Sequence, residues 1–185
     1  IGQSNEFLSM PIEKFSGHTR SFLKIQDGCD SACSYCIVSK ARGPNRSEKP
    51  EKVLRQMAAL IQTGYREVVL TGIHLGTYGN DLRENVTLAS VLREAAQLSG
   101  LRRIRLSSIE PTEFTNELID TILASPIICK HLHIPLQSGA DEILARMNRD
   151  YDSAYYARLI HTLRNNSPDM GIGADVIVGF PGEQE

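Results

Sequence analysis

The sequence contains no apolar segment long enough to cross a membrane. A membrane-spanning helix needs about 20 consecutive apolar residues, and no run in the 185 residues approaches that length. The amino terminus also lacks the basic and then apolar order of residues that marks a secretory signal peptide. These absences predict a cytoplasmic protein with no membrane partner.

The sequence also lacks an excess of either charge. It has 20 Lys and Arg residues against 22 Asp and Glu residues, a net charge of −2. Bulk electrostatics therefore neither supports nor excludes a nucleic-acid partner. An apolar fraction of 41% and a charged fraction of 23% are typical of a globular domain and exclude a disordered or fibrous chain.

Cysteine is scarce but concentrated. Only four cysteines occur, and Cys29, Cys33 and Cys36 lie within eight residues, whereas Cys129 stands alone. Spacings this short favour metal ligation over a framework of disulfides. Three thiolates on one loop can share an iron–sulfur cluster, and three ligands for four irons leave one iron open to chemistry.

Short apolar runs alternate with helical patterns along the chain. Five runs have the length and composition of β-strands, at residues 22–25, 68–70, 104–106, 132–134 and 174–178. Apolar residues at helical spacing predict helices at residues 51–63, 87–98, 115–124, 140–147 and 152–165. Thr87, Thr115 and Asp152 are the predicted N-caps of three of these helices.

Strands that alternate with helices form a parallel sheet through right-handed crossovers. Five strands are too few for an eight-stranded barrel, so the sequence predicts an α/β fold, either an open partial (β/α) barrel or an open twisted sheet. In both folds, ligands bind at the carboxyl ends of the strands. The polar and glycine-containing motifs all follow predicted strands, at residues 29–36, 71–79, 107–111, 135–139 and 179–183.

Two regions differ in their patterning. Residues 1–19 show little periodicity and contain Gly2, Pro11 and Gly17, which predicts an extended lead-in or linker. Residues 20–185 form the predicted domain. Because the chain stops directly after a strand-end motif, we expect it to be a piece of a longer protein.

Three other interpretations of the cysteine triplet stay open. A zinc site normally needs four tetrahedral ligands, and no second pair of cysteines or histidines stands near the triplet. A ferredoxin-type electron-transfer module normally supplies four cysteines with a trailing proline, whereas Ile37 follows Cys36. Structural thiols are usually buried in apolar surroundings, whereas Asp30, Ser31 and Ser34 make this loop polar.

The triplet, on a loop after the first predicted strand, resembles the cysteine motif of the radical S-adenosylmethionine enzymes. Tyr35 matches the aromatic residue that usually precedes the third cysteine of that motif. Further segments are similar to one branch of the family, the methylthiotransferases, and the resemblance extends from about residue 20 to the end. These segments are residues 24–29, 35–38, 41–43, 105–111, 131–139, 146–149 and 175–183.

One loop narrows the resemblance further. Residues 71–76, with Tyr78 and Gly79, are most similar to the subgroup that acts on threonylcarbamoyladenosine beside the tRNA anticodon. The subgroups that act on isopentenyladenosine or on a ribosomal protein usually carry another residue at the position of His74. Another tRNA adenosine and a ribosomal protein stay open as alternative substrates.

The resemblance implies an open partial barrel of the radical S-adenosylmethionine type. It also implies that Cys29, Cys33 and Cys36 hold a [4Fe-4S] cluster whose open iron binds S-adenosylmethionine. An electron donor then supplies the electron that yields a deoxyadenosyl radical, which takes hydrogen from a tRNA adenosine before a methylthio group replaces it. Complete family members have two further domains, which bind a second cluster and RNA. We therefore expect tRNA to bind mostly outside this chain, which alone does not complete turnover.

By the same resemblance, several strand-end residues are predicted cofactor contacts. Tyr35 stands in the cysteine loop, and Gly72 lies in the loop that meets the methionine amino group in the family. Ser108 and Glu110 suit a ribose or the orientation of a sulfonium, and Ser138 precedes a short predicted helix. Ordinary βα turns explain Gly72, Ser108 and Glu110 about equally well.

Two more predicted cofactor contacts lie in the fifth predicted strand. Asp175 stands inside an apolar run, where an unpaired buried carboxylate is costly. It therefore needs a partner, either Arg105 or a bound ligand. The stretch that includes Ile177 resembles the adenine-facing edge of the family.

Overall fold

The computed structural model describes residues 7–9, 17–82 and 86–184. Seven strands are present in these residues: β1 (Ser21–Lys24), β2 (Gln26–Asp27), β3 (Arg46–Ser47), β4 (Glu67–Thr71), β5 (Arg103–Leu106), β6 (His131–His133) and β7 (Gly171–Gly173). Six α-helices accompany them: α1 (Val38–Arg42), α2 (Pro50–Gln62), α3 (Leu88–Ala95), α4 (Asn116–Ala124), α5 (Asp141–Arg146) and α6 (Ser153–Asn166). Short 3₁₀ turns lie at Leu75–Thr77 and Pro111–Glu113.

All the strands except β2 and β3 pair in parallel. β1 pairs with β4 and β4 with β5, and β6 pairs with β7. The backbone N–H of Ile104 donates to Ile127 and that of Cys129 donates to Ile104, both at 2.8 Å, which joins the two sets of strands. Within the described residues β1 and β7 do not pair with each other. The predicted α/β fold with an open, partial barrel is therefore confirmed.

The core lies between one face of the sheet and the helices. Val68, Leu70, Ile104 and Leu132 are almost fully buried on that face. The helices contribute their apolar stripes, from Val53, Met57 and Leu60 on α2, Val91 and Leu92 on α3, Leu118 and Ile122 on α4, and Leu163 on α6. In this arrangement the carboxyl ends of the parallel strands and the amino termini of the helices that follow them lie at the same edge of the sheet. No helix in the described residues is both long enough and apolar enough to span a bilayer.

Four predicted strands and all five predicted helices occur within a few residues of their expected positions. Side chains of the three predicted caps accept backbone N–H groups: Thr87 from Ser90, Thr115 from Leu118 and Asp152 from Tyr155. The predicted lead-in lies largely outside the described residues, which include only 7–9 and 17–19 of that segment.

The predicted position of the fifth strand, residues 174–178, was wrong. β7 occupies Gly171–Gly173, and residues 174–178 make only an isolated bridge, between Val176 and Gln137. The segment that follows β6 cannot continue a regular ladder with residues 174–178, because Pro135 has no N–H to donate and Gln137 has a φ of 68°. The apolar run consequently stays open to solvent, and Val178 is 86% exposed.

A small antiparallel pair, β2 and β3, brackets the cysteine segment. Gln26 lies opposite Ser47 and Asp27 opposite Arg46, and Gly28 follows directly with a φ of 77°. A Cβ atom at Gly28 would lie 1.9 Å from the backbone oxygen of Pro44. Only glycine therefore fits both the left-handed backbone and the close approach of the two chain segments.

We predict that Gly28→Ala destabilises the fold more than Gly64→Ala does. Both positions have positive φ, but an alanine Cβ at Gly64 meets nothing within 4 Å. Gly64→Ala should cost about 1 kcal/mol from backbone strain alone, and Gly28→Ala should cost more because Pro44 must also move. Urea denaturation of both variants checks this, and equal losses would contradict the close approach at Gly28.

Candidate functional site

The three clustered cysteines lie on the loop between β2 and α1, where the chain leaves the carboxyl end of β1. This loop is fastened to the end of α5. The N–H of Ser34 donates to the carbonyl of Met147 at 3.1 Å and its hydroxyl to the carbonyl of Arg146 at 2.8 Å. The Nδ2 of Asn148 donates to the carbonyl of Ala32 at 2.9 Å. The backbone around Cys33 is therefore held by residues more than 110 positions away.

Each of the three thiols is free and accepts from an N–H donor. The backbone N–H of Ser31 lies 3.4 Å from Cys29 Sγ, and that of Val38 lies 3.5 Å from Cys36 Sγ. Cys33 Sγ instead accepts from the guanidinium of Arg149 at 3.1 Å. Hydrogen bonds of this kind orient a sulfur for metal ligation.

A histidine and a carboxylate stand behind Cys29. His74 Nδ1 lies 3.2 Å from Cys29 Sγ, and His74 Nε2 forms an ion pair with Glu113. Burial opposes the charged form of His74, but hydrogen bonds to Cys29 and Glu113 outweigh it and raise the pKa of His74 to about 10. The hydrogen bond to His74 also lowers the pKa of Cys29. Together these shifts favour a Cys29 thiolate beside a protonated His74.

Arg149 connects Glu110, after the end of β5, to Cys33 and Tyr35 on the cysteine loop. Its guanidinium donates to Cys33, forms an ion pair with Glu110, and lies 3.4 Å from the hydroxyl of Tyr35. The ring of Tyr35 in turn meets Phe180 edge to face, with 6.5 Å between ring centres. Glu110, predicted from the sequence, is thus brought to the cysteine loop by a residue to which no role was assigned, and the same residue contacts Tyr35 within that loop.

A polar cleft of about 430 Å³ opens beside the loop. Its walls include Asp30, Cys33, His74, Glu110 and Arg149. The Nε of Arg149 is buried and has no hydrogen-bond partner among the described residues. The cleft therefore combines a thiol and carboxylates with a guanidinium of which one N–H has no partner in the described residues.

Gln26 ties the cysteine loop to the loop after β4. Its side chain is fully buried, and its Nε2 donates to Asn45 Oδ1 at 2.5 Å and to the carbonyl of Gly28 at 2.8 Å. Its Oε1 accepts the backbone N–H of His74 at 2.6 Å. One amide therefore positions both the residue before Cys29 and the histidine that contacts it.

Other predicted contacts have local partners. Gly72 packs against Gln26, whose Oε1 would lie 2.7 Å from an added Cβ atom. The residue Ser108 is exposed, whereas the hydroxyl of its neighbour Ser107 is buried without a partner in the described residues. Ser138 is buried and accepts the N–H of Ala140 at the start of α5. Their contact with a cofactor stays a prediction.

Asp175 does not lie in a buried strand as expected. Its side chain is 70% exposed and its carboxylate lies 2.9 Å from His133 Nε2. Arg105, one of the two expected partners, pairs with Glu67 instead, because β5 lies next to β4 and not next to β7, and a bound ligand stays a prediction. Ile177 is half-buried and its N–H donates to the carbonyl of Gln137 at 2.8 Å, so its role also stays a prediction.

The residues present fit an iron–sulfur cluster in their chemistry. They offer three free thiols, a hydrogen-bond donor to each sulfur, and a polar cleft beside them. In the described part of the chain no three His, Cys, Asp or Glu side chains are grouped so as to hold one metal ion. That finding concerns the zinc alternative, whose ligands surround a single ion, whereas the thiolates of a cluster bind different irons.

Comparison with known proteins decides the family. The model of the radical SAM superfamily matches residues 23–185, nearly the whole chain. The chain belongs to the radical SAM superfamily. This superfamily works with a [4Fe-4S] cluster and S-adenosylmethionine, and the expected cofactor class of the fold is thereby confirmed.

Two curated relatives of this radical SAM chain are tRNA-modifying enzymes. It is 42% identical over 186 residues to the threonylcarbamoyladenosine tRNA methylthiotransferase MtaB of Bacillus subtilis, covering 100% of this chain and 41% of the relative. It is 39% identical over 181 residues to the tRNA-2-methylthio-N(6)-dimethylallyladenosine synthase of Thermoanaerobacter pseudethanolicus, covering 98% of this chain and 38% of the relative. The radical SAM chain thus spans about two fifths of the length of these relatives.

Solved structures show the same fold at low sequence identity. The radical S-adenosylmethionine methyltransferase TsrM from Kitasatospora setae, solved with cobalamin and a [4Fe-4S] cluster, superposes with a TM-score of 0.72 at 20% identity. The match covers 89% of this chain and 32% of that protein. The cobalamin-dependent radical enzyme OxsB gives a TM-score of 0.66 at 14% identity, covering 84% of this chain and 23% of that protein.

We predict that Gln26→Met destabilises the protein by about 1–3 kcal/mol, because the buried groups that it now satisfies would lose their partner. Gln97→Met is the matched control, since Gln97 is exposed and its change should stay within about 0.5 kcal/mol. Denaturant unfolding of both variants measures the difference. A Gln26 variant as stable as the control would contradict the bridging role.

Proposed function

We propose that residues 20–185 form the radical SAM domain of a tRNA methylthiotransferase, in which Cys29, Cys33 and Cys36 ligate a [4Fe-4S] cluster. The observation that carries this proposal is the cysteine loop itself, on which each of three free thiols accepts from an N–H donor. A relative that is 42% identical over the whole length of this chain supports the reaction class.

The bound cluster and S-adenosylmethionine supply the radical chemistry, and the chain supplies position and electrostatics. The loop holds the three thiols against the end of α5, and His74, which pairs with Glu113, lowers the pKa of Cys29. Glu110 and Arg149 present a carboxylate and a guanidinium at the same cleft, next to Cys33. An S-adenosylmethionine ligand carries ammonium, carboxylate and ribose groups that these side chains can bind.

We propose threonylcarbamoyladenosine in tRNA as the substrate, with an electron donor as a second partner. The B. subtilis relative is named for this nucleoside, as is a 40% identical relative from Thermotoga maritima. Relatives named for dimethylallyladenosine are nearly as similar, at 38–40% identity, and support the second candidate. As a tRNA-modifying enzyme the protein would act in the cytoplasm.

We predict that anaerobic reconstitution of this chain yields about four iron atoms and four sulfides per chain. Adding S-adenosylmethionine should change the electron paramagnetic resonance spectrum of the reduced cluster, because the ligand binds the iron that no cysteine holds. Cys33→Ala should lose most of the iron, and Cys129→Ala, outside the loop, should keep it.

Two results would contradict this function. A colourless protein that binds zinc without sulfide would indicate a zinc-binding domain. A complete cluster whose electron paramagnetic resonance spectrum does not change when S-adenosylmethionine is added would indicate an electron-transfer module.

A further inference from the structure

Arg149 makes an unusual set of contacts for a cationic side chain. Its side chain is only 7% exposed, and one guanidinium nitrogen lies 3.1 Å from Cys33 Sγ. A second nitrogen pairs with Glu110, and the guanidinium lies over the ring of Tyr151, 5.1 Å from its centre. A charge so removed from water acts strongly on the group that it touches.

The end of α5 delivers Arg149 to this place. Asn148 has a φ of 57°, its N–H donates to the carbonyl of Ala145, and the N–H of Arg149 donates to the carbonyl of Leu144, both at 3.0 Å. These two bonds form a Schellman motif with asparagine at the left-handed position. The motif reverses the chain after α5, so that Arg149 faces the loop that the same helix end holds.

The contact with Cys33 has an electrostatic consequence. Reduction of a cluster adds negative charge, which spreads over the irons, the sulfides and the ligating thiolates. Hydrogen bonds and positive charge at a ligating sulfur stabilise this more negative state and raise the reduction potential. Glu110 opposes the effect in part, but its side chain is 23% exposed, so that solvent screens it more than the guanidinium.

We propose that Arg149 is a positioning residue that raises the reduction potential of the cluster through its hydrogen bond to the Cys33 thiolate. The proposal rests on the proposed function, since it requires the cluster that Cys33 helps to hold. A purely structural role for the guanidinium is not needed to place the loop, because the bonds from Ser34 and Asn148 fasten it independently.

The test is a redox titration of the reconstituted chain without S-adenosylmethionine, followed by visible absorbance and electron paramagnetic resonance. In Arg149→Gln the ratio of reduced to oxidised cluster at a fixed solution potential should fall about tenfold, a shift of about 59 mV for one electron. Arg149→Lys, which keeps the charge without the planar fork, should shift less. Glu110→Gln should move the potential in the opposite direction, because it removes the opposing charge.

Arg146→Gln is the matched control. Arg146 ends the same helix, but its guanidinium donates to the carbonyl of Gly182 at 3.0 Å, so its loss should leave the potential unchanged. Iron and sulfide content is measured for every variant.

Two results would overturn the proposal. One is an unchanged potential in Arg149→Gln with a full cluster. If Arg149→Gln assembles no cluster, the Glu110→Gln variant decides. An unchanged potential in that variant would then overturn the proposal. Wild-type protein that takes up no cluster would overturn the proposed function and this proposal with it.

Discussion

The attachment of the cysteine loop to the end of α5 is the constraint on which the rest of the site depends. A polar loop of eight residues has no core of its own, and its thiols would otherwise sample many arrangements. Backbone and side-chain bonds from Ser34, Asn148 and Ala32 fix it to a helix end that is itself anchored by the buried Met147. The position of the loop therefore depends on the position of this helix end.

Charge around the thiols is arranged in two pairs. His74 with Glu113 stands at Cys29, and Arg149 with Glu110 stands at Cys33. In each pair the cationic group contacts sulfur and the carboxylate stands behind it. This order places a positive neighbour at Cys29 and at Cys33, and the carboxylate keeps the buried cation from being left unpaired.

Much of the fold follows from local patterning. Periodicity and caps located the helices that begin after Thr87, Thr115 and Asp152, because those signals act within a few residues. The strand at Gly171–Gly173 escaped detection because it contains two glycines, while the apolar run after it looked more strand-like. Its position depends on the partner β6, which the run itself does not reveal.

The candidate site was predictable in its cysteines but not in its supporting residues. The spacing of Cys29, Cys33 and Cys36 carries its own chemical meaning. Arg149 meets Cys33 across 116 positions and Gln26 meets His74 across 48, and no local rule connects such residues. Both lie in segments that resemble the methylthiotransferases, at residues 146–149 and 24–29, which was the one signal that could have singled them out. Glu113 carried no signal of this kind.

The central claim is that three cysteines hold a cluster with one iron left free of protein ligands. Mössbauer spectroscopy of the ⁵⁷Fe-reconstituted chain, recorded before and after addition of S-adenosylmethionine, tests it most directly. The account predicts that one of the four iron sites changes its parameters while the other three stay the same. Four sites that are all indifferent to the ligand, or a cluster with a fourth protein ligand, would contradict it.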